Sequence, residues 1–190
     1  IQIRGGALRL GFRLPGTIEY AHQGTSRVWL GRDARLIIEG PVAIGPGTTI
    51  RVGDGATLRL AGNNFIAHNC TLICNKSMEI GKGANLSWSV TLIDDDQHRF
   101  TRRDGSTLRK FVRPLVIGAR AGLQMNVLVP SGVEIGEGAV VCAGTVVRSD
   151  IPAFSTAYSD QKLVIKPGIR TAAAIANQPA ASLVSEAVVQ

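Results

Sequence analysis

Residues 117–151 read IGARAGLQMNVLVPSGVEIGEGAVVCAGTVVRSDI. Ile117, Leu123, Val129, Ile135, Val141 and Val147 fall six residues apart, and every one is a branched aliphatic. Four residues after each stand Ala121, Val127, Val133, Ala139, Thr145 and Ile151, all small or β-branched. This period matches neither a helical turn nor strict alternation. It matches a solenoid in which each hexapeptide supplies one short strand and one turn, so that three complete a triangular coil of about 18 residues. Coils stacked one strand spacing apart, roughly 4.8 Å, place each inward side chain over its equivalent. Only side chains that pack on themselves can fill such a column. Gly118 and Gly136 follow two of the aliphatics, where the chain must turn sharply.

Fainter copies of the beat lie upstream. Leu30-Gly31, Ile44-Gly45, Val52-Gly53 and Ile80-Gly81 repeat the aliphatic-glycine pair, while Leu36, Ile50, Leu58, Ile66 and Leu72 supply further faces. Their irregular spacing implies slips between coils. Leu8, Leu10 and Gly11 put the start of the solenoid near the N-terminus. The fold expected is all-β, a parallel β-helix over residues 1–166 with a projecting loop at 94–115, followed by a tail at 167–190 that forms a short helix or a disordered end.

Composition agrees with a tightly stacked solenoid. The 190 residues suit one domain, with 22 glycines, 45% hydrophobic residues and only 5% aromatics. No apolar run reaches the roughly 18 residues that span a bilayer. Three cysteines, Cys70, Cys74 and Cys142, cannot all pair internally and lack zinc-site spacing, so they read as reduced core or groove residues. Reduced cysteines are those expected of a cytoplasmic protein. A net charge of +7 favours anionic partners, such as phosphorylated small molecules or the inner face of a membrane. No nucleic-acid-binding motif is present, and no nucleic-acid partner is expected.

The beat stops after Ile93. Asp94, Asp95, Asp96, Gln97, His98, Arg99, Phe100, Thr101, Arg102, Arg103, Asp104 and Gly105 follow, with Lys110 and Arg113 further on, before Leu115 and Ile117 restore it. Charges of this density cannot enter an aliphatic column, so the segment must loop out. Loops carried on rigid scaffolds are where function concentrates.

Around this break the sequence resembles the hexapeptide-repeat acyltransferases, and within them the sugar O-acetyltransferases of capsule, exopolysaccharide and lipopolysaccharide synthesis. The stretch from Leu86 through Trp88, Ile93, Asp94 and Asp96 to His98 is similar to their Asp-x-Asp-x-His segment. Arg113-Pro114-Leu115-Val116-Ile117-Gly118 resembles their re-entry into the helix, and Ala143 to Pro152 their last coil and exit. The resemblance covers most of residues 28–166 and implies a left-handed helix, a homotrimer, and transfer of an acetyl group from acetyl-coenzyme A to a sugar hydroxyl, with no metal.

Such transfer needs a base to take the proton as the hydroxyl attacks the thioester, and a neutral imidazole near pH 7 suits that role. A histidine in a charged loop is ordinarily just solvated; the Asp-x-Asp-x-His match singles out His98. If 94–98 is extended, Asp94, Asp96 and His98 share one side, and Asp96 could orient the imidazole. The resemblance further implies an acceptor cleft near Asn85 and Trp88, while His68 lies in a polar stretch suited to the same cleft. His22 reads as structural or exposed. On the donor side, Ala143 and Gly144 would let the pantetheine arm approach the backbone, with Arg120, Arg148, Lys162 and Lys166 as phosphate partners.

The chain departs from the family at Ala121-Gly122-Leu123-Gln124-Met125-Asn126, where relatives carry a tryptophan, and at Ser159-Asp160-Gln161-Lys162-Leu163 near the exit. Both departures fall at the donor end and favour, as the alternative, a non-catalytic scaffold or regulatory module. Serine and amino-sugar N-acetyltransferases are the nearest rivals within the enzyme reading. A γ-type carbonic anhydrase, which shares the helix, needs three zinc-bound histidines including a close pair, a spacing that His22, His68 and His98 lack.

Overall fold

The structure of the protein, a computed structural model, describes residues 1–4, 8–10, 24–95, 101–106, 113–130 and 132–160. In chain order its strands are β1 (Gln2–Arg4), β2 (Leu8–Leu10), β3 (Arg27–Leu30), β4 (Arg35–Glu39), β5 (Val42–Ile44) and β6 (Thr49–Val52). Next come β7 (Thr57–Leu60), β8 (Asn64–Ile66), β9 (Thr71–Cys74), β10 (Ser77–Ile80), β11 (Asn85–Leu86) and β12 (Thr91–Ile93). The last six are β13 (Leu115–Ile117), β14 (Gly122–Leu123), β15 (Leu128–Val129), β16 (Glu134–Ile135), β17 (Val140–Val141) and β18 (Thr156–Ala157).

These strands build three parallel sheets, one per side of the coil. The first face runs β1-β4-β7-β10-β13-β16, the second β2-β5-β8-β11-β14-β17-β18, and the third β3-β6-β9-β12-β15. No helix occurs among the described residues. The protein is a parallel β-solenoid, all-β as its repeat requires and consistent with a left-handed β-helix. Residues Ile1–Ser159 form one compact unit; of a second, Asp160–Gln190, only Asp160 is described.

Register explains the upstream slips. Arg35 pairs with Thr57, 22 residues on (57 − 35), and Thr57 with Ser77, 20 on (77 − 57). Val116 pairs with Glu134 (134 − 116 = 18), and a bridge joins Ile135 to Ile151 (151 − 135 = 16). Only the coil of 18 keeps the hexapeptide beat. The upstream aliphatic-glycine pairs also stand at different corners: Leu30 and Val52 are partners, whereas Ile44 and Ile80 end strands of the second and first faces. Ile80 pairs with Ile117, and that interval of 37 (117 − 80) holds one 18-residue coil plus the interruption.

Inside, the columns are continuous. Ile38, Leu60, Ile80, Ile117 and Ile135 stack on the first face. Ile44, Ile66, Leu86, Leu123 and Val141 stack on the second, and Ile50, Leu72, Leu92 and Val129 on the third. All are buried. Each contributes about 1.5–3 kcal/mol of burial, which is why short strands with few hydrogen bonds apiece hold together.

The glycines after the aliphatics serve close approach rather than positive φ. A Cβ on Gly118 would lie 2.5 Å from Glu137 N, and one on Gly136 2.3 Å from Ala153 N, because the next coil's backbone passes directly over them.

Cys70 and Cys74 sit in this core. Burial pushes the Cys70 thiol up to about 11, and burial followed by the nearby Asp94 charge pushes Cys74 up to about 12. Both thiols are therefore protonated and inert near neutrality. A thiol reagent at pH 8 is expected to label only Cys142 in the folded chain and all three cysteines after denaturation; rapid labelling of a second thiol in the native protein would contradict this burial. Because the folded values lie above the ordinary 9.0, the stability these thiols allow is complete below pH 9 and declines as pH rises toward 11 to 12.

Candidate active site

The corner between the second and third faces is a ladder of identical turns. Asn69 N donates to Pro46 O at 3.0 Å, Ser89 N to His68 O at 3.0 Å, Asn126 N to Trp88 O at 3.0 Å, and Gly144 N to Met125 O at 2.9 Å. Pro46, His68, Trp88, Met125 and Ala143 therefore occupy one turn position on successive coils. The residue after each of the last four has positive φ, from 57° at Ser89 to 71° at Gly144. Asparagine and glycine tolerate that conformation best, which accounts for three of the four residues there.

This ladder brings together several residues singled out from sequence. His68, Trp88, Ala143 and Gly144 stand along one ridge. Trp88 is 41% exposed and its neighbour Met125 42%, an apolar edge offered to solvent. His68 is half-buried and rests on the preceding coil; a Cβ at Gly45 would lie 2.4 Å from its Cδ2. Asn85, three residues before Trp88, points outward from β11 between Phe65 and Gly122 of the adjacent strands. Gln124 Oε1 accepts a hydrogen bond from Ala143 N at 3.1 Å, tying the last two rungs together.

The two described charged donor-side candidates, Arg120 and Arg148, are not on this ridge. Arg120 lies at the corner between the first and second faces, where its N–H donates to Lys82 O, and its guanidinium is paired with Glu137. Arg148 follows Val147 on the third corner and is exposed. Within one chain, Arg120, Ala143-Gly144 and Arg148 thus occupy three different corners. Asp96, His98, His22, Lys162, Lys166 and the tail at 167–190 lie outside the described residues.

The root of the interruption is rigid. Asp94, 1% exposed, accepts hydrogen bonds from Asn75 N at 2.7 Å, Lys76 N at 2.8 Å and Ser77 N at 2.8 Å. Asn75 Nδ2 donates to Asp95 O at 2.5 Å. This corrects the expectation that Asp94 projects from the loop on the side of Asp96 and His98. Its carboxylate turns inward because the preceding coil rounds that corner in two residues, Asn75 and Lys76, leaving three backbone donors without strand partners. Asp94 and Asp95 both belong to that corner, and Leu115, counted above in the loop, is already the first residue of β13.

The return is clamped as well. Arg113 donates to Gly132 O through Nε at 3.2 Å and grips Asp150 through two nitrogens, at 2.6 and 3.3 Å. Asp150 also accepts from Glu134 N at 2.9 Å. Arg113 first, and that backbone N–H second, hold the Asp150 carboxyl below the usual carboxylate range. Sequence reading marked both residues as parts of motifs without foreseeing their contact, because they stand 37 apart (150 − 113).

No family profile matches the chain. It is 29% identical over 118 residues to the galactoside O-acetyltransferase of Escherichia coli K12, a match covering 60% of this chain and 52% of that protein. It is 31% identical over 115 residues to a Schizosaccharomyces pombe protein named as an acetyltransferase, covering 60% and 51%. The chain spans about half the length of the curated relatives it matches. Among solved structures, the polySia-specific acetyltransferase NeuO aligns over 90% of this chain and 88% of its own, with 16% identity and a TM-score of 0.43. The chain is thus a homologue of acetyltransferases, and its β-solenoid is consistent with the hexapeptide-repeat group that its sequence resembles.

Proposed function

We propose that this protein is an acetyl-coenzyme A dependent O-acetyltransferase acting on a hydroxyl of a sugar or glycan precursor. The observation that carries the reading is the pairing of two facts: similarity to a galactoside O-acetyltransferase, and an interval of 37 residues between the paired Ile80 and Ile117, far longer than one coil, within which His98 falls in the sequence. Asp94 and Arg113, before and after His98 in the sequence, are both anchored to the solenoid, as a loop positioning a catalytic group requires.

In this reading His98 is the general base and Asp96 holds its imidazole in the productive tautomer. The acceptor oxygen attacks the thioester carbonyl as His98 takes its proton. The tetrahedral adduct then breaks its C–S bond, and the departing sulfur receives that proton from the imidazolium. Products are the sugar ester and free coenzyme A. Trp88, Asn85 and His68 form the acceptor side, and Ala143 and Gly144 receive the pantetheine arm. Arg120, Arg148, Lys162 and Lys166 are the cationic candidates for the phosphates.

Because the described donor candidates are spread over three corners of one chain, a site using more than one of them needs a long ligand or a second copy. Coenzyme A bound between the subunits of a homotrimer supplies both. No helix among the described residues is long and apolar enough to cross a membrane. The +7 charge suits work on an anionic precursor in the cytoplasm or at the inner membrane face.

The test is acceptor dependence. Incubated with acetyl-coenzyme A, the protein is expected to release free thiol faster when a galactoside or a related sugar is added. Failure to bind coenzyme A at equilibrium, in a folded sample, would leave the scaffold reading instead.

A further inference from the structure

Gly122 is unlike every other described glycine. Elsewhere glycine is required by positive φ, as at Gly55, Gly105 and Gly144, or by a neighbour lying 3.0 Å or less from where a Cβ would sit, as at Gly45, Gly118 and Gly136. Gly122 has neither reason: its φ is not positive, and a Cβ there would meet no described atom within 4 Å. It stands in strand β14, in the middle of the second face, pointing outward between Asn85 of β11 and Val140 of β17. A glycine inside a strand weakens it, and one without a local cause marks a place where something else approaches the backbone.

The surroundings describe what that something is. The outward positions of the second face from β5 to β18 are Ala43, Phe65, Asn85, Gly122, Val140 and Thr156, none of them charged in a protein of net charge +7. The charges at the corner leading into this face are Lys82, Arg120 and Glu137, of which Arg120 and Glu137 are paired with each other. Gly122 therefore floors a hollow between uncharged strand positions, two strand spacings wide, about 10 Å between backbones. Val140, 38% exposed, forms one wall, the Asn85 amide the other, and Gln124 lies just past the end of β14 toward Trp88 and Ala143.

We propose that this hollow is a binding subsite for one neutral pyranose ring of the acceptor, and that the missing side chain at position 122 sets the size of acceptor admitted. An uncharged ring with an apolar face and hydroxyl edges matches a valine wall opposite an amide. The proposal rests on the acetyltransferase reading for the identity of its ligand, but not for its geometry, and it gives to the acceptor a position, Gly122, that the sequence resemblance had assigned to the donor end.

Two variants test it, Gly122→Ala and Gly122→Leu, with a panel of neutral hexopyranosides. Binding is measured by saturation-transfer NMR without acetyl-coenzyme A, and turnover with it. Both side chains point outward on an unstrained strand, so both variants are expected to melt no lower than wild type. Gly122→Leu is expected to lose at least about tenfold in kcat/KM, carried by KM, with coenzyme A affinity unaltered and the smaller Ala variant between. Hexopyranoside binding lost in the Leu variant by a wild type that transfers no acetyl group would retain the hollow and remove the acetyltransferase reading. Unchanged acceptor binding and KM in Gly122→Leu would overturn the subsite while leaving that reading in place. Lost coenzyme A affinity with unchanged acceptor KM would also overturn it, by giving the hollow to the donor, as would wild type binding none of the panel.

Discussion

Replacing His98 with alanine is expected to cut acceptor-dependent turnover of acetyl-coenzyme A by at least about a hundredfold, within the 10² to 10⁴ that a positioned general base contributes. Melting temperature should be unaffected, since the described aliphatic columns are built from other residues. The rate of the native enzyme should rise with pH through the range where imidazole loses its proton, around 6.5 for an ordinary histidine. That rise should vanish in the variant. Asp96→Asn is expected to lose less, because it disturbs the orientation of the base without removing it. His68→Ala provides the comparison: standing on the corner ridge over Gly45, it should alter acceptor KM more than kcat. A His98→Ala enzyme within a few fold of wild type would end the assignment.

The second large effect concerns stability. Asp94→Ala removes the acceptor of three backbone N–H groups, those of Asn75, Lys76 and Ser77, at a corner where the carboxylate is 1% exposed. A buried donor left unpaired costs about 1–3 kcal/mol, and hydrogen bonds to a charged group lie at the upper end. Allowing for water entering the vacated space, a loss on the order of 4 kcal/mol is expected, equivalent to roughly 10 °C in Tm for a domain of this size. Asp94→Asn keeps one accepting oxygen but turns an amide toward the remaining donors, so it should fall between. Thermal denaturation followed by circular dichroism decides the matter. A Tm within about two degrees of wild type, together with lost activity, would mean that Asp94 serves catalysis as part of the Asp-x-Asp-x-His segment rather than the fold.

These two aspartates, one residue apart from each other's neighbour in a run of three, show where reading the sequence stops. Nothing in Asp94-Asp95-Asp96 separates the carboxylate that caps a buried corner from the one assigned to orient a base. The distinction depends on the preceding coil having 20 residues, which shortens its corner to Asn75 and Lys76 and exposes three N–H groups to whatever follows Ile93. The Arg113–Asp150 clamp was hidden for a similar reason: its partners meet only because residues 113, 132 and 150 fall on consecutive coils at one corner. Gly122 carried a readable signal, an aliphatic-flanked glycine at an outward strand position. What the sequence alone lacked was the demonstration that neither φ nor packing calls for it.

By itself, then, the sequence determined the solenoid and the 18-residue coil that runs from Ile117 to Ile135. Periodicity suffices for this because a stacked column accepts only residues that pack on themselves, so the pattern of Ile117, Leu123 and Val129 is the packing written in one dimension. The tertiary structure alone decided which side chains share a corner. His68, Trp88 and Ala143 come onto one ridge, and Arg120 and Arg148 onto others, through coil lengths that change from 22 to 20 to 18 residues. Each change of length is absorbed at a corner, as at Asn75 and Lys76, so columns and turn ladder stay aligned in space while the interval between equivalent residues changes along the sequence.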